Sequence, residues 1–223
     1  MTVTAIVPVP TNLVSRRAAV FSLVAGQSCL TRIVRSLAPV ADVIVAAAAP
    51  LVDEVKRSMA QQGLSATQVC VADAPGARAD CIAAALRTPG VADQVLLHDV
   101  AWPLVSPAVL DRVVAALSDG AVAALPVCPV TDSIKAVDSK GAVTASVERS
   151  PLRTVQYPRG FDAAVLTRLI TQGFGADELD AVLTSRVRVT TVDGDTDTMA
   201  VELPGDASYL AAVIEGRSDV SGR

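Results

Sequence analysis

Histidine occurs once in these 223 residues, at His98, and the four cysteines, Cys29, Cys70, Cys81 and Cys128, are scattered with no C-x-x-C pair among them. A zinc site or a disulfide framework needs ligands clustered at short spacings, so neither is indicated. The cysteines read instead as small buried apolar residues in a reducing compartment, and a cytoplasmic location is expected. Basic tracts are missing too. With 19 Lys and Arg against 23 Asp and Glu, the chain lacks the electrostatic footprint of a nucleic-acid binder. Long apolar runs are absent: Asp42 and Pro50 interrupt the stretch from Val40 to Leu51, and no basic region precedes the few apolar residues ahead of Pro8. Neither a membrane span nor a signal peptide is expected. Glycine is also missing until Gly26.

What is present is enough apolar composition, 51%, for one substantial core. The reading is a single domain over residues 1–215 and a polar, disordered tail over 216–223. Short β-branched runs at Ala5–Val9, Val43–Ala47, Gln68–Val71, Val95–His98 and Ala121–Val127 read as strands. They alternate with helical patterns at about Cys29–Leu37, Leu51–Gln62, Arg78–Leu86 and Pro107–Leu117. That rhythm is the signature of βαβ units in an α/β, doubly wound, mostly parallel sheet. Leu110, Val113, Val114 and Leu117 share one helix face, as packing on a sheet requires.

After Pro129 two short extended runs around Asp138-Ser-Lys-Gly141 predict a protruding β-hairpin arm, at about 130–158, of a kind that packs on a second subunit; a homodimer is expected. Helices at about Phe161–Thr171 and Ala176–Thr184 follow, then a strand at Val187–Val192, a turn at Asp193-Gly-Asp195 and a closing helix from Asp206 to about Ile214.

Asp99 ends the fourth strand, where open α/β sheets bind ligands, and is a candidate for holding Mg²⁺; a strand-end aspartate capping a turn is the alternative. His98 reads as a strand-end residue bonding local backbone, and Lys135 as a hairpin residue. Asp193-Gly-Asp195 fits a turn better than a metal-binding D-x-D.

Three stretches carry a family resemblance. His98-Asp-Val-Ala-Trp-Pro103 resembles the H-D-A-A-R-P motif of the 2-C-methyl-D-erythritol 4-phosphate cytidylyltransferases. Val130-Thr-Asp-Ser-Ile-Lys-Ala-Val-Asp138 is similar to their P-V-x-D-T-I-K segment. Val147-Glu-Arg-Ser-Pro-Leu152 with Gln156-Tyr-Pro-Arg-Gly-Phe161 is similar to their R-x-x-L and Q-T-P-Q-G-F segments. The turn at Asp193–Asp195 and Pro204-Gly-Asp206 fall where that family closes, so the resemblance spans essentially the whole chain.

The resemblance implies a Rossmann-like nucleotidyltransferase that joins CTP to 2-C-methyl-D-erythritol 4-phosphate and releases pyrophosphate, in isoprenoid precursor biosynthesis. It implies Mg²⁺ as cofactor, and as partners CTP or another nucleotide and a small phosphorylated polyol. By that resemblance Arg78, Asp80 and Cys81 lie near the nucleotide, Cys81 standing where a serine is usual. Pro8 and Val9 open the nucleotide loop; Asp99 is catalytic and holds metal. Ser133, Arg149 and Tyr157 face the acceptor substrate, Tyr157 in place of a threonine.

The nucleotide loop departs from the pattern. Where the family has A-A-G-x-G-x-R and then P-K, this chain reads Pro8-Val-Pro-Thr-Asn-Leu-Val-Ser-Arg-Arg-Ala-Ala-Val20, with Ala19 at the lysine position. Trp102 replaces an arginine, and Ala200 a second lysine. Arg16 and Arg17 are the catalytic cations that would reach the same space from a shortened loop, or else solvated loop charges. Backbone N–H groups cradle phosphate only on close approach, which glycine permits and Pro10 opposes. Three readings therefore stand. The first is a cytidylyltransferase of weak, lost or redirected activity; the second is an inactive paralogue with a binding or regulatory role; the third is a metal-dependent sugar-nucleotide glycosyltransferase.

Overall fold

The computed structural model describes residues 2–173 and 177–221, the side chains of 218–221 excepted. In chain order the elements are β1 (Thr4–Val9), a 3-10 turn (Thr11–Arg16), α1 (Ala18–Phe21), β2 (Leu23–Val24), β3 (Gln27–Ser28), α2 (Cys29–Leu37), β4 (Asp42–Ala48), α3 (Val52–Gln61), β5 (Gln68–Ala72), α4 (Arg78–Leu86), β6 (Gln94–Leu97) and α5 (Pro107–Ser118). Then follow β7 (Ala123–Pro129), β8 (Ile134–Val137), β9 (Val143–Val147), β10 (Arg153–Val155), β11 (Arg159–Asp162), α6 (Ala163–Thr171), α7 (Glu178–Thr184), β12 (Thr190–Asp193) and α8 (Ala207–Ser221).

β1 lies between β4 and β6, parallel to both, and β5 extends the sheet beyond β4. The chain thus winds outward from β1 to β5 and then returns across β1 to β6. That reversal makes a switch point at the C-terminal ends of β1 and β6, where open α/β sheets leave a crevice. Beyond β6 come β11, antiparallel to both β6 and β7, and then β12, parallel to β7. β10 pairs antiparallel with Val127–Pro129 of β7 and shares the edge that β11 uses.

Alternation along β1 separates two cores. Ala5, Val7 and Val9 pack with α2, α3 and α5 on one face, while Ile6 packs with α4, α6 and α7 on the other. The doubly wound, mostly parallel sheet read from the sequence is the one present.

Several boundaries differ from the sequence reading. Phe161 belongs to strand β11, and α6 begins only at Ala163, with the Asp162 carboxylate accepting from Val165 N–H as its cap. Gly160 marks the reason: a Cβ there would sit 2.7 Å from Val113 Cγ1 and 2.9 Å from Leu117 Cδ1, so α5 packs directly on this strand's backbone. Residues 11–21 are not an open loop but the 3-10 turn and α1. The last helix continues to Ser221 rather than ending near Ile214. Each further residue adds a backbone hydrogen bond, and the Arg217 guanidinium donates to the Asp197 carbonyl at 2.6 Å. Ala176, expected to open α7, and residues 222 and 223 lie outside the described residues.

β8 and β9 form a separate antiparallel hairpin, in which the Lys135 ammonium donates to Ser146 Oγ across the strands. Every residue of β9 is exposed.

Gly194 sits in the turn after β12. Its N–H donates to the Val127 carbonyl, while Gln156 Oε1 accepts from Asp195 N–H and Gln156 Nε2 donates to the Asp195 carbonyl. A Cβ at Gly194 would fall 2.3 Å from Gln156 Oε1 and 2.8 Å from Cys128 Sγ. Gly194→Ala is therefore expected to lower stability by about 1–3 kcal/mol through overpacking, read from the urea midpoint at unchanged m-value. A midpoint equal to that of the parent would contradict this packing.

Candidate active site

A cavity of about 560 Å³ opens at the switch point. Its walls are the 3-10 turn after β1, with Thr11, Asn12 and Arg16, the N-terminus of α4 with Ala77 and Arg78, and the loop after β6 with Asp99 and Val100. Thr11 staples two of these walls together: its N–H donates to the Gly76 carbonyl at 2.8 Å, and its hydroxyl donates to the Pro75 carbonyl at 2.6 Å. Gly76 has φ +76°, and a Cβ there would lie 2.6 Å from Thr11 Oγ1, so this contact requires glycine. A second cavity, of about 580 Å³, opens at the other ends of the strands near Thr4 and Asp42, and no arginine or lysine lines it. Of these two cavities, the first is the one that offers a polyanion a cation.

The floor of the first cavity is a charged network that few sequence signals announce. Nη1 of Arg78 donates to Asp99 Oδ2 at 2.7 Å, its Nε donates to Glu178 Oε2 at 3.0 Å, and its Nη2 donates to the Tyr157 hydroxyl at 3.1 Å. The Tyr157 hydroxyl in turn donates to Glu178 Oε1 at 3.1 Å. Arg159 donates to the same oxygen at 2.9 Å and to Asp177 Oδ2 at 3.1 Å. Both guanidiniums stack on Tyr157, with Cζ to ring centroid distances of 4.3 Å for Arg159 and 5.7 Å for Arg78. Glu178 is fully buried, and the side chains of Arg78 and Arg159 are 16% and 7% exposed. A buried carboxylate persists in such a place only when paired and fully hydrogen-bonded, and here four N–H and O–H donors converge on it.

Electrostatics follow from that burial. Desolvation alone would lower the Arg78 pKa, but Glu178, Tyr157 and Asp99 outweigh it and hold the guanidinium above its ordinary range. Burial raises the Tyr157 phenol well above its usual value. At Asp177 burial raises the carboxyl, yet the Asp180 N–H, Arg159 and the Leu179 N–H together bring it below the ordinary carboxylate range. His98 is buried, and desolvation pushes it down to about 4. Its Nε2 lies 2.8 Å from the Trp102 carbonyl, which puts the proton on Nε2. Nδ1 has no partner among the described residues, and the ring is a neutral structural group closing the β6 loop.

Of the residues singled out from the sequence, Pro8, Arg16, Arg78 and Asp99 meet in the cavity wall. Tyr157 stands behind Arg78. Arg17 points away and pairs with Glu54, because successive residues of a helical turn project about 100–120° apart. Arg16, in the cavity wall, pairs with Glu202 at 2.8 Å. Val9 and Cys81 are core residues with no exposed surface, and burial raises the Cys81 thiol to about 12. Asp80 accepts from the Ala77 N–H at 2.8 Å and caps its own helix. Ser133 and Arg149 belong to the hairpin region and do not line the cavity; Arg149 donates to the Thr131 carbonyl. Ala19 does line it, on the face expected to carry a lysine.

Glu178 and Arg159 were not singled out from the sequence. The available signals were Arg159, a charge beside Gly160 and Phe161, and an acid in the first helical turn after Asp177.

Asp99 is the carboxylate open to a metal. Its Oδ1 accepts from the Ala101 N–H at 2.9 Å and its Oδ2 from Arg78, which leaves lone pairs on both oxygens. Among the described residues no three His, Cys, Asp or Glu side chains cluster as a metal site. The donor set therefore fits Mg²⁺ that arrives with phosphates, since that ion is commonly bound by one or two carboxylates plus phosphate oxygens and water.

A family model described as 2-C-methyl-D-erythritol 4-phosphate cytidylyltransferase matches residues 10–215. A relative of that name from Rhodococcus jostii (strain RHA1) is 40% identical over 150 residues, 66% of this chain and 66% of its own. One from Saccharopolyspora erythraea is 38% identical over 200 residues, covering 86% of this chain and 88% of its own. The alignment with the Rhodococcus opacus relative spans 62% of that protein's length. In three dimensions, the cytidylyltransferase of the same name from Thermus thermophilus superposes with a TM-score of 0.76 at 27% identity, covering 96% of this chain and all of the other. Motifs and fold agree with these likenesses, and the chain belongs to the 2-C-methyl-D-erythritol 4-phosphate cytidylyltransferase family.

Proposed function

We propose that the chain transfers the cytidylyl group of CTP to 2-C-methyl-D-erythritol 4-phosphate. A phosphate oxygen of the acceptor attacks the α-phosphorus, the bond from that phosphorus to the bridging oxygen breaks, and pyrophosphate leaves. The observation that carries this reading is the cavity at the strand ends, into which the turn after β1, Arg78 and Asp99 converge. Catalysis of phosphoryl-type transfer is largely positioning and charge neutralisation. Arg78 supplies fixed positive charge at the floor, and the N-terminus of α4 adds its dipole. Arg16 lies at the rim and reaches phosphate by leaving Glu202. Asp99 would hold Mg²⁺ brought with the nucleotide, and the ion would neutralise phosphate charge.

Turnover is slow in this reading. Ala19 puts a methyl group where the family supplies an ammonium, and both cavity arginines are engaged with carboxylates that a substrate must displace or share. The same observation favours a second reading, a silent relative that binds without turnover. The exposed hairpin, with Val137, Val143 and Val147 at its surface, supports a homodimer in which Ser133 and Arg149 serve the partner's cavity. A monomeric mass at sedimentation equilibrium would contradict that assembly. The four cysteines are free, in keeping with the cytoplasm. No helix among the described residues is long and apolar enough to cross a membrane.

Steady-state pyrophosphate release from CTP and the methylerythritol phosphate tests the reading. Arg16→Ala is expected to raise KM for CTP about tenfold, the value of one charge-assisted hydrogen bond. The melting temperature should barely move, because the pair with Glu202 is exposed and such pairs contribute about 1 kcal/mol or less. An unchanged KM would remove Arg16 from the site.

A further inference from the structure

The two arginines of the cavity floor differ in one respect: Arg78 lines the cavity and Arg159 does not, yet both are tied to the same buried carboxylate. We propose that Glu178 and Arg159 are positioning residues for the reaction: Glu178 fixes the orientation of the Arg78 guanidinium, and Arg159 offsets Glu178 so that Arg78 keeps positive charge for the phosphates. The proposal rests on the cytidylyltransferase reading for what enters the cavity, but not for the state of Arg78 itself.

The geometry carries the first half. Glu178 takes Nε of Arg78 on Oε2 and Nη2 on Oε1, at 3.0 and 3.3 Å, a two-point grip on a planar group. Tyr157 closes the third side, accepting from Nη2. Arg78 is left with no rotational freedom, and Nη1 is the nitrogen turned to Asp99 and the cavity.

Charge carries the second half. Two arginines, Arg78 and Arg159, meet three carboxylates, Asp99, Asp177 and Glu178, so the network has a net charge of minus one. Without Arg159 the balance falls to minus two and Glu178 draws on Arg78 alone. With Glu178 made neutral it rises to zero, and Arg78 is freed electrostatically while it loses its clamp. A floor with net negative charge would repel a triphosphate unless the arginine facing the cavity is relieved of part of its burden. Arg159, stacked on Tyr157 and shielded from the cavity, provides that relief.

Arg159→Met should therefore weaken anion binding, and Arg159→Lys, which keeps the charge, should restore it. In Glu178→Gln the gain in charge and the loss of the clamp oppose each other, so that variant reports on the clamp through hydrogen exchange rather than through affinity. Inorganic pyrophosphate, titrated calorimetrically against the full chain, is expected to bind about tenfold more weakly to Arg159→Met and within about twofold of the parent to Arg159→Lys. Unchanged binding in Arg159→Met, or equal weakening in Arg159→Met and Arg159→Lys, overturns the proposal.

A second measurement needs no ligand. In nitrogen-labelled protein, the Arg78 Nε–H resonance, assigned by its disappearance in Arg78→Lys, should exchange slowly in the parent and in Arg159→Met, and at least about tenfold faster in Glu178→Gln. Slow exchange persisting in Glu178→Gln overturns the clamp even if no nucleotide proves to bind. If Glu178→Gln does not fold, Arg159→Met decides alone: weaker pyrophosphate binding with the Nε–H still slow supports the proposal, and unchanged binding overturns it.

Discussion

Arg78→Met is expected to lower kcat/KM for CTP by about a hundredfold and to destabilise the fold by about 3 kcal/mol. Both effects come from one guanidinium. Toward the cavity it is the fixed cation, and the loss of charge-assisted bonds to phosphate accounts for the rate. Toward the core it supplies two of the four donors on Glu178, a carboxylate with no exposed surface. Removing one partner of a buried pair typically costs about 3–5 kcal/mol. The lower end applies because Arg159 and Tyr157 remain on Glu178 and Asp99 faces the cavity. Arg78→Lys should keep most of the stability and little of the rate, since an ammonium cannot span Asp99, Tyr157 and both oxygens of Glu178. Urea unfolding and initial rates measure the two effects separately. A methionine variant as stable and as active as the parent would contradict the role assigned to the network.

Acidification from pH 7 to pH 5 is expected to remove about 2 kcal/mol of stability through His98 alone. The ring is buried and titrates near 4 in the folded chain, against an ordinary value of 6.5. Between those values the unfolded chain takes up a proton that the folded chain refuses. Its folded value is depressed, so for a base stability falls as pH falls, from about 6.5 down to about 4. No second imidazole adds to this slope, because His98 is the one histidine, and Glu148, lowered from 4.5 mainly by the Ser150 N–H, adds only toward the acid end of the window. Asp177 and Asp195, whose folded values are lowered from 3.8, lose their contributions only at lower pH. Urea midpoints at pH 7 and pH 5 for the parent and for His98→Asn measure this contribution. The asparagine variant should lose the slope, and an equal slope in both would show that His98 is protonated without penalty.

The sheet was legible because β1, β4, β5, β6 and β7 are apolar runs of four to seven residues, bounded by helical patterns. β11 was not. It has four residues, too few for a two-residue period to show against a helical one, and its glycine is explained only by α5 lying on it. The turn after β1 read as a loop without glycine, hence poorly shaped for phosphate. The glycine that matters there is Gly76, more than sixty residues away and brought to Thr11 by the fold. Asp99 and Arg78 were visible through their motifs, while Glu178 and Arg159 carry meaning only once α7 is packed beneath Arg78. Arg16 and Arg17, equivalent in the sequence, are separated by a single step around a helical turn, one toward Glu202 and one toward Glu54.

In the proposed reaction the cavity between the turn after β1 and the loop after β6 binds CTP for transfer. Calorimetric titration of the full chain with CTP, with and without Mg²⁺, followed by addition of the methylerythritol phosphate with pyrophosphate detection, tests it most directly. Mg²⁺-dependent binding and slow pyrophosphate release are expected, both lost in Arg78→Met. Absence of heat and of pyrophosphate in the parent would contradict it.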